Sequence, residues 1–217
     1  MDAIVLAAGR GVRMGREMPK QFLRLAGKPL LVHVLEVFEA MEEVERVWVT
    51  ALAGYEDEYR RLFRQYRLEK PELVPGGETR QWSVARALEA VRSPRVIVHE
   101  AVRPFIGAGF VRELLAWPDA AVVPTQPIPF TVAEGDAFMT AELNRARLHN
   151  VQLPQVFDTA VLREAHRRFR EPGDATEDSL LVFRLGERVR FVPGREENIK
   201  ITTPLDLQLA ELIYRER

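Results

Sequence analysis

Apolar residues fall into short runs that alternate with helical stripes along most of the chain. Ile4 to Ala7 is an unbroken apolar run of the kind that makes a buried central strand. Leu30, Val34, Val37 and Met41 then recur at helical spacing, in a helix expected to begin at Lys28-Pro29. Arg46 to Leu52 reads as the next strand, and residues 56–67 as a charged surface helix with Tyr59, Leu62, Phe63 and Tyr66 on one side. Leu73-Val74-Pro75 leads through Gly76-Gly77 into a helix expected to put Trp82, Ala85, Leu88 and Val91 into the core. A strand from Arg95 to His99, a helix over 108–117 and a strand from Ala120 to Pro124 continue the series. Such alternation predicts right-handed βαβ units. The fold class is therefore α/β, a Rossmann-like three-layer arrangement with a mostly parallel sheet and helices on both faces.

Between Pro124 and Pro154 the pattern breaks: the stretch holds four prolines and no helical stripe. Phe130 to Thr140 reads as a hairpin turning at Gly135-Asp136. A structureless insert of this length is unusual in a compact domain, so residues 125–153 are expected to form a β-arm projecting from a single domain over 1–217. Helices at 158–170 and 176–185 and a strand at 188–193 follow. A last amphipathic helix opens at Thr203-Pro204, where a first turn accepts proline.

With 217 residues the chain can bury one sizeable core, and with 47% hydrophobic residues and a net charge of −1 it is neither disordered nor polybasic. No nucleic-acid partner is expected. The absence of cysteine excludes disulfides and thiol catalysis and fits a reducing compartment. The first residues read as a strand rather than a signal peptide, and no apolar run approaches a membrane span, so a cytoplasmic protein with no membrane partner is expected. Of 31 basic residues only Lys20, Lys28, Lys70 and Lys200 are lysine. Against that background a retained lysine points to a need for a compact charge on a flexible stem.

Candidate chemistry gathers after the first strand, where Gly9, Gly11 and Gly15 are interleaved with Arg10, Arg13, Arg16 and Lys20 against the single acid Glu17. Glycines there let phosphates approach backbone N–H groups, and Pro19 fixes the backbone just before Lys20. The spacing is not that of a dinucleotide fold, because Met14 stands at the third glycine's place. Nor is it a P-loop, because Gln21 follows Lys20. Three serines, none in a G-x-S-x-G context, and four dispersed histidines at 33, 99, 149 and 166 offer no nucleophile or metal set. His99, at the end of a buried strand, reads as a core histidine, and His33 and His166 as helix residues. What remains is chemistry carried by positioning and cations. Gly76-Gly77 opens a second helix whose N-terminal N–H groups face the loop, and Glu100 and Arg103 follow a strand end, where ligands collect in α/β sheets.

The run from Leu6 to Gln21, L-A-A-G-x-G-x-R-M…P-K-Q, together with Gly76-Gly77-x-x-Arg80-x-x-Ser83-Val84, resembles the cytidylyltransferases that activate 2-C-methyl-D-erythritol 4-phosphate in isoprenoid biosynthesis. The resemblance extends over almost the whole chain and implies cytidylyl transfer from CTP to a polyol phosphate, with pyrophosphate released. It implies Mg²⁺ held mainly by the CTP phosphates rather than by a protein metal site. By the same resemblance Ala7, Ala8, Gly9, Arg10 and Gly11 would receive the nucleotide, and Gly77 and Ser83 the cytosine. Arg13 and Lys20 would neutralise the triphosphate and the transition state. Arg145 and Lys200 would hold the acceptor phosphate in line, beside Glu100 and Arg103. A homodimer is implied, with arms that cross so that Arg145 reaches its neighbour's site. Departures cluster on the acceptor side. Glu100-Ala101-Val102-Arg103-Pro104 stands for Asp-Ala-Ala-Arg-Pro, Pro127-Ile128-Pro129-Phe130 for Asp-Thr-x-Lys, Leu153 for a threonine, and Thr176-Glu177-Asp178 for Thr-Asp-Glu. They leave open another polyol phosphate such as ribitol 5-phosphate as acceptor, or a nucleotide sensor without catalysis.

Overall fold

The computed structural model describes residues 1–9, 18–170 and 175–217. The chain enters through β1 (Asp2–Leu6) and folds a small ribbon of β2 (Arg24–Leu25) and β3 (Lys28–Pro29). It then alternates α1 (Leu30–Glu39), β4 (Arg46–Ala51), α2 (Glu56–Gln65), β5 (Pro71–Pro75), α3 (Arg80–Ala90), β6 (Arg95–Glu100), α4 (Ala108–Leu115) and β7 (Ala121–Pro127). A hairpin of β8 (Ala133–Gly135) and β9 (Met139–Glu142) follows, then β10 (His149–Val151), β11 (Gln155–Asp158), α5 (Thr159–Arg168), α6 (Asp178–Arg184), β12 (Arg190–Pro193) and α7 (Pro204–Arg215).

Strand β1 lies between β4 and β6 in an eight-stranded sheet, with Ile4 opposite Trp48 and Val98. Strands β5, β4, β1 and β6 are mutually parallel. Beyond them β11 is antiparallel to both β6 and β7, β10 is antiparallel to β7, and β12 runs parallel to β7. Alternate residues of β1 point to opposite faces. Ala3 and Val5 pack with Leu31, Leu35 and Phe38 of α1, Leu62 of α2 and Leu114 of α4, whereas Ile4 packs with Val84 and Leu88 of α3, Leu162 of α5 and Leu181 of α6. This is the three-layer architecture expected. A third apolar cluster of Leu23, Leu25, Leu30, Phe105, Ile201 and Ala210 seats α7 over the small ribbon.

Three sequence readings need correction. Helix α1 starts at Leu30 rather than at Lys28-Pro29, which forms β3; a residue before proline is pushed to extended backbone, and Pro29 itself is extended at ψ 142°. Met41 is buried but lies beyond that helix. The core stripe of α3 is Val84, Ala87, Leu88 and Val91, while Trp82 is 37% exposed. Phasing that helix on its largest apolar residue rotated it wrongly, since Gln81 and Ser83 are the residues turned inward at its start. In the arm, β8 and β9 pair only with each other among the described residues, and Phe130, Phe138 and Met139 stand exposed.

The end of β1 is fixed by side chains of its neighbours. The Ala7 N–H donates to Thr50 Oγ1 at 3.0 Å, and the buried Tyr59 hydroxyl donates to the Ala7 carbonyl at 2.6 Å. That hydroxyl also accepts from Gln21 Nε2 at 3.0 Å and from the Leu52 N–H at 3.3 Å, and burial pushes its pKa up to about 12. One oxygen therefore joins the first strand, the Pro19-Lys20-Gln21 segment and the end of β4. Tyr59→Phe leaves three buried polar groups short of a partner and is expected to cost about 1–3 kcal/mol. Urea denaturation checks this; an unchanged midpoint would show that water replaces the hydroxyl.

Candidate active site

A cavity of about 760 Å³ opens at the carboxyl ends of β1, β4, β5 and β6. Its wall comes from the loops after those strands: Leu6 to Gly9, Thr50 to Ala53, Gly76 to Arg80 with Ser83 and Arg86, and Glu100 to Val102. Lys20, Gln21 and Lys200 complete it. The expected nucleotide residues Ala7, Ala8, Gly9, Gly77 and Ser83 all stand on this wall, whereas Arg10, Gly11 and Arg13 lie outside the described residues. The glycines are there for lack of space. A Cβ on Gly76 would collide with the Ala8 Cβ and come within 2.8 Å of the Ala51 carbonyl, and one on Gly77 would come within 2.8 Å of the Ser83 nitrogen. The Ser83 hydroxyl accepts from the Gly77 N–H at 3.0 Å and donates to the Thr79 carbonyl at 2.9 Å, so it shapes the loop from within.

The two lysines meet through one short segment, residues 198–202. Lys20, itself buried, donates to the Thr202 carbonyl at 2.9 Å. Lys200 projects from the same segment and donates to Glu100 Oε1 at 2.8 Å. The Ile201 N–H bonds the Val102 carbonyl at 2.9 Å, and Arg103 Nη1 donates to the Asn198 carbonyl at 2.9 Å. Arg103, expected to contact substrate, is thus a buried strut that also lies 3.4 Å from Glu100 Oε2, off the cavity wall. Arg145 is likewise absent from the wall of its own chain: it is exposed at the base of the arm, where Nη1 donates to the Pro129 carbonyl at 3.0 Å.

Behind Glu100 lies a charge cluster. Arg80, the first residue of α3, places Nη1 2.8 Å from Asp178 Oδ2, Nη2 3.0 Å from Glu177 Oε2 and Nε 3.7 Å from Glu100 Oε1. Asp178 is shared with His166, whose Nε2 is 2.9 Å from Oδ1. Burial disfavours every charge here, and partners decide the sign. Burial pushes Asp178 up, but Arg80 and His166 outweigh it and bring its carboxyl down to about 2. For Glu100 too, burial is overcome by Lys200, Arg80 and Arg103, and its pKa is lowered. Glu177 is the loser: burial, with Glu100 and Asp178 alongside, raises it to about 7 although Arg80 is near. His99, with Nε2 on the Arg103 carbonyl at 3.0 Å, is held neutral by burial, its pKa down to about 4. It is a core histidine, as its strand position implied.

The family model for 2-C-methyl-D-erythritol 4-phosphate cytidylyltransferase (IspD) matches residues 1–216. The chain belongs to this family. Proteins of that name from Pelotomaculum thermopropionicum and Geobacillus kaustophilus are 41% and 37% identical to it, over 99% and 100% of this chain and 94% and 97% of theirs. The crystal structure of the enzyme of that name from Thermus thermophilus superposes with a TM-score of 0.81 at 35% identity, covering 98% of each chain. The nucleotidyltransferase fold and the cytidylyltransferase class follow from this membership.

Sequence reasoning marks Arg80 as a fixed position of the cytidylyltransferase motif, Glu177 and Asp178 as departures from it, and Tyr59 and His166 as helix residues, but gives none of them a role in the site. Tyr59 carried only a helical-stripe signal. Arg80 had a better one, since a cation at a helix N-terminus opposes the helix dipole and needs an external reason. Glu177 sets a pH dependence. Its folded pKa of about 7 lies above the ordinary 4.5, so the native state keeps a proton that the unfolded chain releases. Its contribution is complete below pH 4.5 and is lost as pH rises towards 7. His99 acts with the opposite sign, costing stability as pH falls from 6.5 to about 4. The two offset each other in the wild type, so the comparison must be with a variant. Glu177→Gln is expected to gain on the wild type, by on the order of 2 kcal/mol, between pH 4.5 and 7. Parallel melting curves across that range would sink the assignment.

Proposed function

We propose that the protein transfers CMP from CTP to 2-C-methyl-D-erythritol 4-phosphate, giving 4-diphosphocytidyl-2-C-methyl-D-erythritol and pyrophosphate. The observation that carries this reading is the joining of Lys20 and Lys200 through residues 198–202, on one cavity wall with two glycine loops. An acceptor phosphate has a second pKa of about 6 and is largely ionised at neutral pH, so attack on the α-phosphorus needs no general base. The P–O bond to the acceptor forms as the bond to pyrophosphate breaks, and the protein supplies alignment and positive charge. Lys20, held on the Thr202 carbonyl, is placed to stabilise the charge that develops at the α-phosphate. Lys200 receives the acceptor phosphate. Ala7, Ala8, Gly9, Gly77 and Ser83 form the nucleotide's cradle.

Mg²⁺ fits as an ion brought in on the triphosphate: no cluster of three acidic or histidine ligands occurs among the described residues, and Glu100 and Glu78 are the carboxylates on the wall. There it would neutralise charge on the leaving pyrophosphate. The acceptor-side departures make ribitol 5-phosphate the competing substrate. Incubation with CTP, Mg²⁺ and each acceptor separately is expected to release pyrophosphate with methylerythritol phosphate. Release with ribitol phosphate alone would reassign the acceptor. CTP-induced thermal stabilisation without turnover on either would make the protein a sensor. Lys20→Ala is expected to lower kcat far more than CTP affinity, by roughly 2–4 kcal/mol of transition-state stabilisation. Lost affinity with kcat kept would make Lys20 a ground-state binder.

The arm supports a homodimer. Phe130, Phe138 and Met139 are 74%, 85% and 72% exposed, and a two-stranded hairpin is marginal alone in water. Arg145 at its base is off its own chain's cavity and free to serve a partner's. Mixed Lys20→Ala and Arg145→Ala subunits should then recover activity towards about a quarter of wild type, because one site in each heterodimer has both residues. Heterodimers verified by mass spectrometry of tagged chains yet inactive would remove the crossing-arm arrangement.

A further inference from the structure

We infer that Arg80 is a positioning residue for Lys200, acting through Glu100 and aimed from behind by Asp178. The inference rests on the reading of Lys200 as the acceptor-phosphate cation. Arg80 touches the cavity, yet its guanidinium is taken up by acids: Nε and Nη2 are sealed from solvent beside Glu100 and Glu177, and Nη1 lies 2.8 Å from Asp178. Its three nitrogens face three carboxylates from two elements, Glu100 at the end of β6 and Glu177 and Asp178 at the start of α6. The planar fork presents its donors in fixed directions and so holds the three acids in one geometry, which the freely rotating donors of an ammonium would not impose. Asp178 is in turn steadied by His166 of α5, so the position of α6 is transmitted to the cavity through side chains.

Charge makes the arrangement useful for the reaction. Glu100 is flanked by Lys200 at 2.8 Å, Arg103 at 3.4 Å and Arg80 at 3.7 Å. Because two guanidiniums remain beside it when the lysine departs, Lys200 can leave Glu100 for a substrate phosphate without stranding a buried carboxylate, which would be costly. Without Arg80, Glu100, Glu177 and Asp178 would stand as neighbouring acids, and Lys200 would be drawn back to compensate them. Arg80 therefore determines how readily Lys200 is released to the phosphate.

A double-mutant cycle separates this from direct contact. Rates with CTP and methylerythritol phosphate would be measured for Arg80→Ala, Lys200→Met and the double variant, with melting temperatures as the folding control. Arg80→Ala is expected to lower kcat/KM for the acceptor on the order of tenfold or more, and by under about threefold in the Lys200→Met background. KM for the acceptor should change more than KM for CTP. Equal losses in both backgrounds would overturn the inference, since Arg80 would then act on substrate or on the fold at large. Should Arg80→Ala not fold, Arg80→Lys serves the same cycle; it keeps the charge but not the fork, and full activity in it would equally overturn the inference. Asp178→Asn, at a side chain off the cavity wall, should reproduce the acceptor effect only where Lys200 is present. If Lys200→Met alone leaves the rate intact, the role given to Lys200 fails first, and the inference with it.

Discussion

The site depends on how the central strand stops. Strand β1 has β4 and β6 on its two sides, and a strand in that position would continue its ladder unless something else took its peptide groups. At Ala7 that happens on both sides of the residue: Thr50 takes the N–H and Tyr59 caps the carbonyl. The chain thereby leaves the sheet at the cavity wall, where Ala8 lies so close to Gly76 that no Cβ fits on the glycine. Gln21 bonds the same Tyr59 hydroxyl, which brings Lys20 back against the strand it follows. Backbone hydrogen-bond accounting, more than any charge, decides where the loop after β1 begins.

Charge is arranged around that frame in two tiers. The inner tier, on the cavity wall, is Lys20, Lys200 and Glu100; the outer tier, Arg80, Arg103, Glu177, Asp178 and His166, lies behind Glu100, with Arg80 also reaching the wall. A buried ion cluster contributes little to stability compared with well-packed apolar residues and is tolerated where it secures a particular geometry. Here every outer member leads within three contacts to Glu100 or to residues 198–202. The cluster is best understood as the support of two lysines.

Much of this was legible in the chain. The strand–glycine–cation run, the alternation of strands and helices, the arm between Pro124 and Pro154 and the scarcity of lysine each reflect local physics, which periodicity and turn chemistry report directly. Three things were not. The phase of α3 was misread because Trp82 looked like a core residue, whereas loop packing at Gly77 and the Thr79 cap set the helix's rotation. Arg103 looked like a ligand, being an arginine beside a strand end; only the fold shows the Asn198 carbonyl waiting for it. The meeting of the outer charges was illegible because they come together from positions 80, 103, 166, 177 and 178, and no spacing rule links residues that distant.

The hydrogen bond from Lys20 to Thr202 spans 182 residues, so the cavity wall begun by β1 is completed by a segment far along the chain. Contacts of such sequence separation form late, after loop-closure entropy has been met by the core. During synthesis, when domains begin to fold from the N-terminal side, the four parallel strands can assemble while Lys200 is still within the ribosome. A nascent chain of this protein can therefore hold the parallel half of its sheet before Lys20 meets the Thr202 carbonyl, which arrives with the segment that precedes α7.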